Sequence, residues 1–177
     1  QINHISSSSL DHGTAYIVVD FRMAGGNDHQ PYVLKTRASG ATWPHLPSPL
    51  PSTHPLDYTL SVAENPNQQG MVFVGTGHAF YYTMDDGAHW TQCDKGLPPA
   101  PVTWITVEPR FHEVNVSTYG RGLFILPDIA TLEHTGSTTV DSSATNTTRL
   151  FQPGDIFRVA RGVFPTPVDI TRPQFQF

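Results

Sequence analysis

A turn motif that occurs twice, 47 positions apart, constrains this chain more than any other feature. Residues 83–90 read TMDDGAHW, and residues 36–43 read TRASGATW. Each copy follows an aromatic β-type run and precedes a Leu-Pro break. A spacing of this size is typical of repeat proteins whose unit is a four-stranded sheet. The matching positions are Thr36, Gly40 and Trp43 in the first copy and Thr83, Gly87 and Trp90 in the second.

The second copy has the residue types of a β-hairpin turn. β-type runs flank it at 71–76 and 80–82, and a short polar segment follows it at 91–93. Aspartate accepts hydrogen bonds from nearby backbone N–H groups, and Gly87 adopts a positive φ at no steric cost. Trp90 provides a large apolar anchor for the returning strand. The motif therefore predicts a strand–turn–strand in which Asp85 has a structural role and Asp86 is a solvated turn residue.

The composition favours an all-β chain. The 177 residues include 14 glycines and 16 prolines, and only 14% are charged. Short apolar runs are separated by Gly and Pro, and no window has a long 3.6-residue apolar period, so helix is expected to be scarce. The net charge of −5 disfavours nucleic acid or an anionic membrane as a partner. No apolar run approaches membrane-spanning length.

Metal and cofactor chemistry is not indicated by the sequence. Cys93 is the single cysteine, so it cannot form an internal disulfide, and the nine histidines show no metal-binding spacing. We therefore predict no metal and no cofactor.

The repeated motif resembles the Asp-box of BNR-repeat β-propellers, whose pattern is Ser/Thr-x-Asp-x-Gly-x-x-Trp. Residues 83–90 match all four defining positions, whereas the first copy has Ala38 in place of the aspartate. The family includes sialidases, sortilin-type receptors and propeller glycoside hydrolases. The resemblance implies β-propeller blades, which are four-stranded antiparallel sheets with Asp-box hairpins on their outer rim.

A second resemblance concerns the end of the repeat region. Residues 119–128 resemble the His-Gly-Arg-x-hydrophobic-x-Leu-Asp-Asp ending of the last blade in bacterial sortilin-like BNR proteins, with Tyr119 replacing the histidine and Pro127 replacing the first aspartate. We predict blades over 1–132 (two nearly complete and one partial), a Ser/Thr-rich linker over 133–149 and the start of a further β element over 150–177. Because closed propellers need about 4–8 blades, we expect an incomplete portion of a larger propeller. The alternative is a self-covered β-sandwich.

Three residues are candidates for ligand binding. Arg121 lies between two glycines, where its guanidinium can project from a turn and bind a carboxylate or sugar. Tyr119 is next to it, and Asp20 ends an apolar run. The structural alternatives are an arginine that fastens the last blade to its neighbour and a solvated Asp20. No catalytic residue is assigned.

Two classes of function follow from the resemblance. The first is an extracellular, non-catalytic propeller module that binds protein or glycan, and the second is part of a propeller glycoside hydrolase acting on polysaccharide. Whether this chain is an enzyme is left open. Expected partners are the remaining blades of the same protein or another copy, and a protein or polysaccharide ligand. Lysine is scarce while Ser, Thr, Asn and Gln are plentiful, a composition common in secreted proteins, so we expect a secreted, extracellular or periplasmic location. Two sequons, at Asn115 and Asn146, are candidate glycosylation sites, and Asn146 in the linker is the better acceptor.

The fragment and sandwich interpretations predict different solution masses. If the terminal sheets lack their neighbours, the purified chain will self-associate through exposed apolar faces, and size-exclusion chromatography with light scattering will give a mass above 19.5 kDa. A sharp monomeric peak at millimolar concentration would support the sandwich instead.

Overall fold

The computed structural model describes residues 1–22, 30–52, 54–93 and 96–136. These residues form short strands and one short helix, which confirms the all-β prediction. The elements are β1 (Ile2–Ser7), β2 (Ala15–Val19), β3 (Tyr32–Thr36), β4 (Thr59–Glu64), β5 (Val72–Thr76), β6 (Phe80–Thr83), β7 (Thr91–Gln92), β8 (Val102–Glu108), β9 (Glu113–Thr118), β10 (Gly122–Leu126) and α1 (Ala130–Gly136).

The strands form three antiparallel sheets, each a meander in chain order. Sheet A has the order β1-β2-β3, sheet B the order β4-β5-β6-β7, and sheet C the order β8-β9-β10. The segment after the first turn runs beside β3 as the remnant of a fourth strand. There Lys35 N donates to Pro44 O at 3.0 Å, and Leu46 N donates to Val33 O at 3.2 Å.

The first strands of the three sheets lie next to one another and run in the same direction. Asn3 Nδ2 donates to Thr59 O at 2.7 Å, and Val62 N donates to His4 Nδ1 at 3.1 Å. Both contacts advance in the same direction along the two strands, so β1 and β4 are parallel. Ser61 Oγ donates to Val102 O at 2.9 Å and joins β4 to β8. The sheets are therefore stacked side by side with β1, β4 and β8 along one line.

Sheet B is covered on both faces. Successive side chains of a strand point to opposite faces, and in β5 Val72 and Val74 face sheet A while Phe73 faces sheet C. All three are fully buried, which explains why residues 71–74 form a continuous apolar run. The A–B core contains Tyr16, Val18, Val33, Leu46, Leu50, Val62, Val72, Val74, Ala79 and Tyr81, and the B–C core contains Ala63, Met71, Phe73, Phe80, Val102, Ile105, Val114, Val116 and Ile129.

Sheets A and C expose apolar side chains. Ile2 and Ile5 on β1 are 61% and 60% exposed, and Leu123 on β10 is 72% exposed. In β10, Leu123 and Ile125 alternate with Phe124 and Leu126, which pack against the B–C core. The apolar exposure expected for the terminal sheets is therefore present on the described part of both.

The two repeated turns have the same local hydrogen bonds. Thr83 Oγ1 accepts from the backbone N–H groups two and four residues later, at 3.3 and 3.0 Å. Thr36 Oγ1 does the same at 3.2 and 3.0 Å. Gly87 and Gly40 both have positive φ, 84° and 87°, and a Cβ on Gly87 would lie 2.8 Å from Leu46 Cβ. Glycine is therefore required at this position of the turn.

The prediction that Asp86 is solvated is wrong. Its carboxylate accepts a hydrogen bond from Lys35 Nζ at 2.6 Å and from Arg37 Nη2 at 2.5 Å. The Lys35 side chain is only 7% exposed, so this aspartate neutralises a buried cation. Asp86 has a φ of 58°, which directs its side chain across the A–B interface. The ion pairs fasten the turn of sheet B to β3 of sheet A.

A buried tyrosine extends this polar contact into the A–B core. Tyr16 is fully buried, and its hydroxyl donates to Glu64 Oε1 at 3.0 Å, with Asp86 Oδ1 at 3.3 Å. Burial, reinforced by the two carboxylates, raises the pKa of Tyr16 far above its usual range. The phenol therefore stays protonated and remains a hydrogen-bond donor.

Helix α1 is attached to sheets B and C by one carboxylate. Glu133 Oε1 accepts from Asn65 Nδ2 at 2.7 Å, and Glu133 Oε2 lies 2.7 Å from His112 Nδ1. Ile129, just before the helix, is buried in the B–C core. The helix extends past position 133, where we predicted the linker to begin; residues 137–177, with the rest of that linker and the following β element, lie outside the described residues.

The Asp86 contacts predict a large stability effect from a small change. Asp86→Asn keeps a residue that tolerates positive φ but removes the charge opposite buried Lys35, so we expect it to lower the free energy of unfolding by about 2–3 kcal/mol. Chemical denaturation measures this. The matched control is Asp128→Asn, because Asp128 also has a positive φ (54°) but is exposed. Adding Lys35→Met to Asp86→Asn should recover part of the lost free energy of unfolding, because the unpaired cation is removed. Equal losses in Asp86→Asn and Asp128→Asn would contradict the role assigned to the Asp86–Lys35 ion pair.

Candidate functional site: the inner groove and the loop edge

A groove with a volume of about 410 Å³ runs along the first strands of the sheets. Trp104 of β8 lies in it and is 55% exposed, an unusual exposure for a tryptophan. The imidazole of His4 is 4.4 Å from the Trp104 ring, at 52°. The groove is lined by β1, β4 and β8, including Ser6, Ser7, Ser9, Glu64 and Thr106.

His4 presents a hydrogen-bond donor beside the tryptophan. Its Nδ1 accepts the backbone N–H of Val62, so in the neutral ring the hydrogen is on Nε2. Partial burial lowers the pKa of His4, an effect that the backbone hydrogen bond opposes only in part. The neutral ring is therefore favoured near pH 7, and no described residue accepts its Nε2–H.

Glu64 lines the same groove, but its carboxylate is buried. The residue is 8% exposed, and its Oε1 is used by Tyr16. Its Oε2 is buried and has no hydrogen-bond partner among the described residues. A buried carboxylate oxygen without a partner is costly, but this oxygen has almost no accessible surface, so it is not presented to a ligand in the groove. With the Trp104 face and the Nε2–H of His4, the groove suits a ligand that has both apolar faces and hydrogen-bonding groups.

The candidate Asp20 lies elsewhere, at the edge of the sheets where β2, β5 and β9 end. It is 4% exposed, and its carboxylate accepts from Arg22 Nη2 at 2.6 Å and Arg22 Nε at 3.0 Å. The Arg22 guanidinium lies over the Tyr58 ring, 3.1 Å from the ring centre. Hydrogen bonds from Arg22 hold the pKa of Asp20 below its usual value. The Asp20 carboxylate is therefore occupied by a neighbour rather than presented to solvent.

Tyr119 and Arg121 share the turn between β9 and β10 at this loop edge. Tyr119 is 78% exposed and Arg121 is exposed, while Gly120 and Gly122 have positive φ values of 84° and 90°. Tyr119 N donates to Pro101 O at 2.9 Å, which anchors the turn to the start of β8. The structure therefore brings two of the three candidates together, but no contact joins them to Asp20 within the described ranges.

The groove residues were not selected from the sequence. From the sequence, Trp104, Tyr81, Tyr82 and Trp90 could form a sugar platform, but aromatic residues at alternate strand positions usually fill the core. Tyr81 is indeed buried, and Trp90 packs against the A–B core, where its Nε1 donates to Ser48 O at 3.0 Å. Trp104 differs because it occupies the side of β8 opposite the buried Ile105.

Comparison with known proteins identifies the fold. No family model and no curated protein matches the sequence. The GH74 enzyme of Niastella koreensis has a similar structure, with a TM-score of 0.53 and 15% identity over 72% of this chain. YCF48, solved bound to a D1 peptide, is similar at a TM-score of 0.51 and 20% identity, also over 72%. The fold is a β-propeller. The matched region spans 21% of the GH74 chain and 36% of the YCF48 chain.

Sheets A, B and C are thus propeller blades, and the groove follows their innermost strands. The sequon asparagine Asn115 lies in β9, half-buried on the face of blade C opposite the core, between its partners Thr106 and Ile125. Asn146 lies outside the described residues. Over the ranges that the structure covers, no group of three or more His, Cys, Asp or Glu side chains is placed to hold a metal ion, and no helix is long and apolar enough to cross a membrane.

The Asp20–Arg22 ion pair predicts a pH dependence of stability. Because the pKa of Asp20 is lower in the folded state, its stabilisation is complete above the unfolded value of about 4 and is lost as the pH falls through the folded value. At pH 7 we expect Asp20→Asn to be less stable than wild type by about 1–3 kcal/mol. Urea denaturation at pH 7 and below pH 4 should show this difference narrowing, and a difference independent of pH would contradict the ion pair.

Proposed function

We propose that this chain is part of a secreted, non-catalytic β-propeller of the Asp-box type, similar to sortilin-like BNR proteins, that binds a glycan in the groove along its innermost strands. The observation that carries the proposal is the exposed Trp104 beside the Nε2–H of His4, in a groove lined by serine and threonine hydroxyls. An aromatic face flanked by a few hydrogen-bonding groups is the usual composition of a small-ligand site.

The Asp-box assignment is supported by the role of Asp85 in its turn. Its Oδ1 accepts from His89 N and from Thr83 Oγ1, both at 2.8 Å, so the carboxylate closes the turn instead of facing a ligand. Trp90 then packs against the A–B core. This is the outer-rim folding role that the Asp-box resemblance implies.

A glycan suits the groove better than a uniformly apolar ligand. A pyranose ring has apolar C–H faces that can lie on an indole, and hydroxyls that both donate and accept hydrogen bonds. His4 Nε2 can donate to one of these hydroxyls. The serine and threonine hydroxyls of β1 and β8 provide further partners along the groove.

A non-catalytic role is supported by the use of the carboxylates. Glycosidases place two carboxyl groups about 5–9.5 Å apart across the sugar. Three aspartates that sequence analysis considered are each bound to a neighbour within the fold: Asp20 to Arg22, Asp85 to His89, and Asp86 to Lys35.

The second candidate function is part of a propeller glycoside hydrolase, and Glu64 is the observation that favours it. It is a buried carboxylate that lines the groove next to the exposed tryptophan. The similar enzyme is a GH74 protein. Asp86 shares the Tyr16 hydroxyl with Glu64, but its carboxylate is bound to Lys35 and Arg37, so this function needs a catalytic partner from further blades.

Polypeptide partners are the third element of the proposal. The outer faces of blades A and C carry Ile2, Ile5, Leu123 and Ile125, which further blades or a second copy of the chain would cover.

YCF48, which shares the fold, was solved with a bound peptide. In this chain the exposed turn with Tyr119 and Arg121 is the surface we propose for a polypeptide ligand.

Substitution of Trp104 tests the binding site. We expect Trp104→Ala to weaken binding to the best ligand of a soluble polysaccharide panel at least tenfold, because a central aromatic anchor is removed, and Trp104→Phe to keep most of it. Isothermal titration measures this. Phe111→Ala is the matched control, since Phe111 is 49% exposed on a turn away from the groove.

The same panel separates the two functions. Reducing-sugar release by the parent protein that is lost in Glu64→Gln but kept in Asp128→Asn would support the hydrolase. Binding that is unaffected by Trp104→Ala but lost with Tyr119→Ala or Arg121→Ala would transfer the site to the loop edge.

A further inference from the structure

The two repeated turns differ in the carboxylate at their third position. In the second turn the Asp85 carboxylate accepts from His89 N at 2.8 Å and lies 2.6 Å from His89 Nδ1. The position equivalent to Asp85 in the first turn is Ala38, and the position equivalent to His89 is Thr42. The backbone N–H of Thr42 has no acceptor among the described residues. The first turn therefore has the donor but lacks its carboxylate.

The backbones of the two turns are otherwise alike, so the comparison is direct. In each turn the threonine hydroxyl accepts two N–H groups, and the glycine has a positive φ. The residue before the glycine also has a positive φ, 51° for Ser39 and 58° for Asp86. Its N–H donates to the preceding hairpin, to Gly13 O at 3.0 Å in one turn and Gly70 O at 2.9 Å in the other.

A pocket of about 300 Å³ opens where the carboxylate is missing. Ala38 and Thr42 line it, together with Lys35, Arg37 and Asp86. The remaining walls are His45 and the apolar segment around Leu46 and Pro47. The volume is at the lower end of the range for small-ligand sites.

The charges around this pocket favour an anion. Lys35 and Arg37 share one carboxylate, that of Asp86, so the three groups together carry a net positive charge. Arg37 uses only Nη2 in that contact, and its other nitrogens have no partner among the described residues. A guanidinium can bind a carboxylate through two parallel N–H groups, which makes Arg37 the natural second contact after Thr42.

We propose that this rim pocket binds the carboxylate of a small organic acid, with space for a ligand of about the size of one uronic acid residue. The ligand carboxylate takes the place that Asp85 fills in the second turn: it accepts the Thr42 N–H and the free N–H groups of Arg37. The site is distinct from the inner groove, and it does not depend on the function proposed for that groove.

The amide resonance of Thr42 tests the site. The full 177-residue chain labelled with ¹⁵N would be titrated with sodium glucuronate, sodium acetate, glucose and sodium sulfate at constant ionic strength. We expect the Thr42 amide to move downfield and saturate with glucuronate and with acetate, and to stay in place with glucose. The His89 amide, already bound to Asp85, should not move. A uronate ligand is indicated by tighter binding of glucuronate than of acetate, whereas equal binding identifies the bare carboxylate as the determinant.

Variants make the test specific. Ala38→Asp supplies the carboxylate within the chain, so the Thr42 amide should start downfield and no longer respond to glucuronate, and the thermal midpoint should rise. Arg37→Gln should weaken glucuronate binding about tenfold, because a charge-assisted contact is lost. Arg110→Gln is the matched control, since Arg110 is also an exposed arginine and contacts Glu108 on a distant turn; it should leave binding unchanged.

Several results would overturn the proposal. They are an unmoved Thr42 amide in wild type with both carboxylates, an unchanged response in Ala38→Asp, equal losses in Arg37→Gln and Arg110→Gln, or an equal response to sulfate, which would show a general anion effect.

Discussion

A sheet that is apolar on both faces cannot exist alone in water, and the rest of this structure follows from that constraint. Blade B has valines on one face of β5 and a phenylalanine on the other, all fully buried. Each face needs a neighbouring blade, and the two cores form where blades A and C provide it. The side-by-side stacking in turn aligns the innermost strands, and the groove exists because of that alignment.

Much of this could be predicted from local sequence. The repeated threonine and glycine positions set the turn geometry through contacts within about four residues, so their spacing predicts the hairpins and the repeat. The alternation of apolar residues predicts short strands, and the absence of a helical period predicts little helix. These inferences succeed because the interactions that determine them lie close together in the chain.

The contacts that cross blades could not be predicted in this way. Asp86 was interpreted as solvated because its partners, Lys35 and Arg37, lie one repeat earlier, and nothing local links them. Trp104 was interpreted as core because strand aromatics usually are, and only the stacking of β8 beside β1 shows which of its faces is exposed. Asp20 shows the reverse case, since its partner Arg22 is two residues away and the short spacing of opposite charges was the available signal. Site residues in a repeat fold depend on how units pack, and a single unit does not contain that information.

The backbone of Asp86 has a consequence for what this position tolerates. A left-handed conformation is comfortable for glycine, asparagine and aspartate and unfavourable for most other side chains. The ammonium of Lys35 is stabilised by a negative charge at the same point, which glycine and asparagine do not provide. Glutamate carries the charge but does not favour the positive φ that this position requires. Aspartate meets both the backbone and the charge requirement. The contact between blades A and B therefore depends on a position, 86, at which every other amino acid is expected to cost stability.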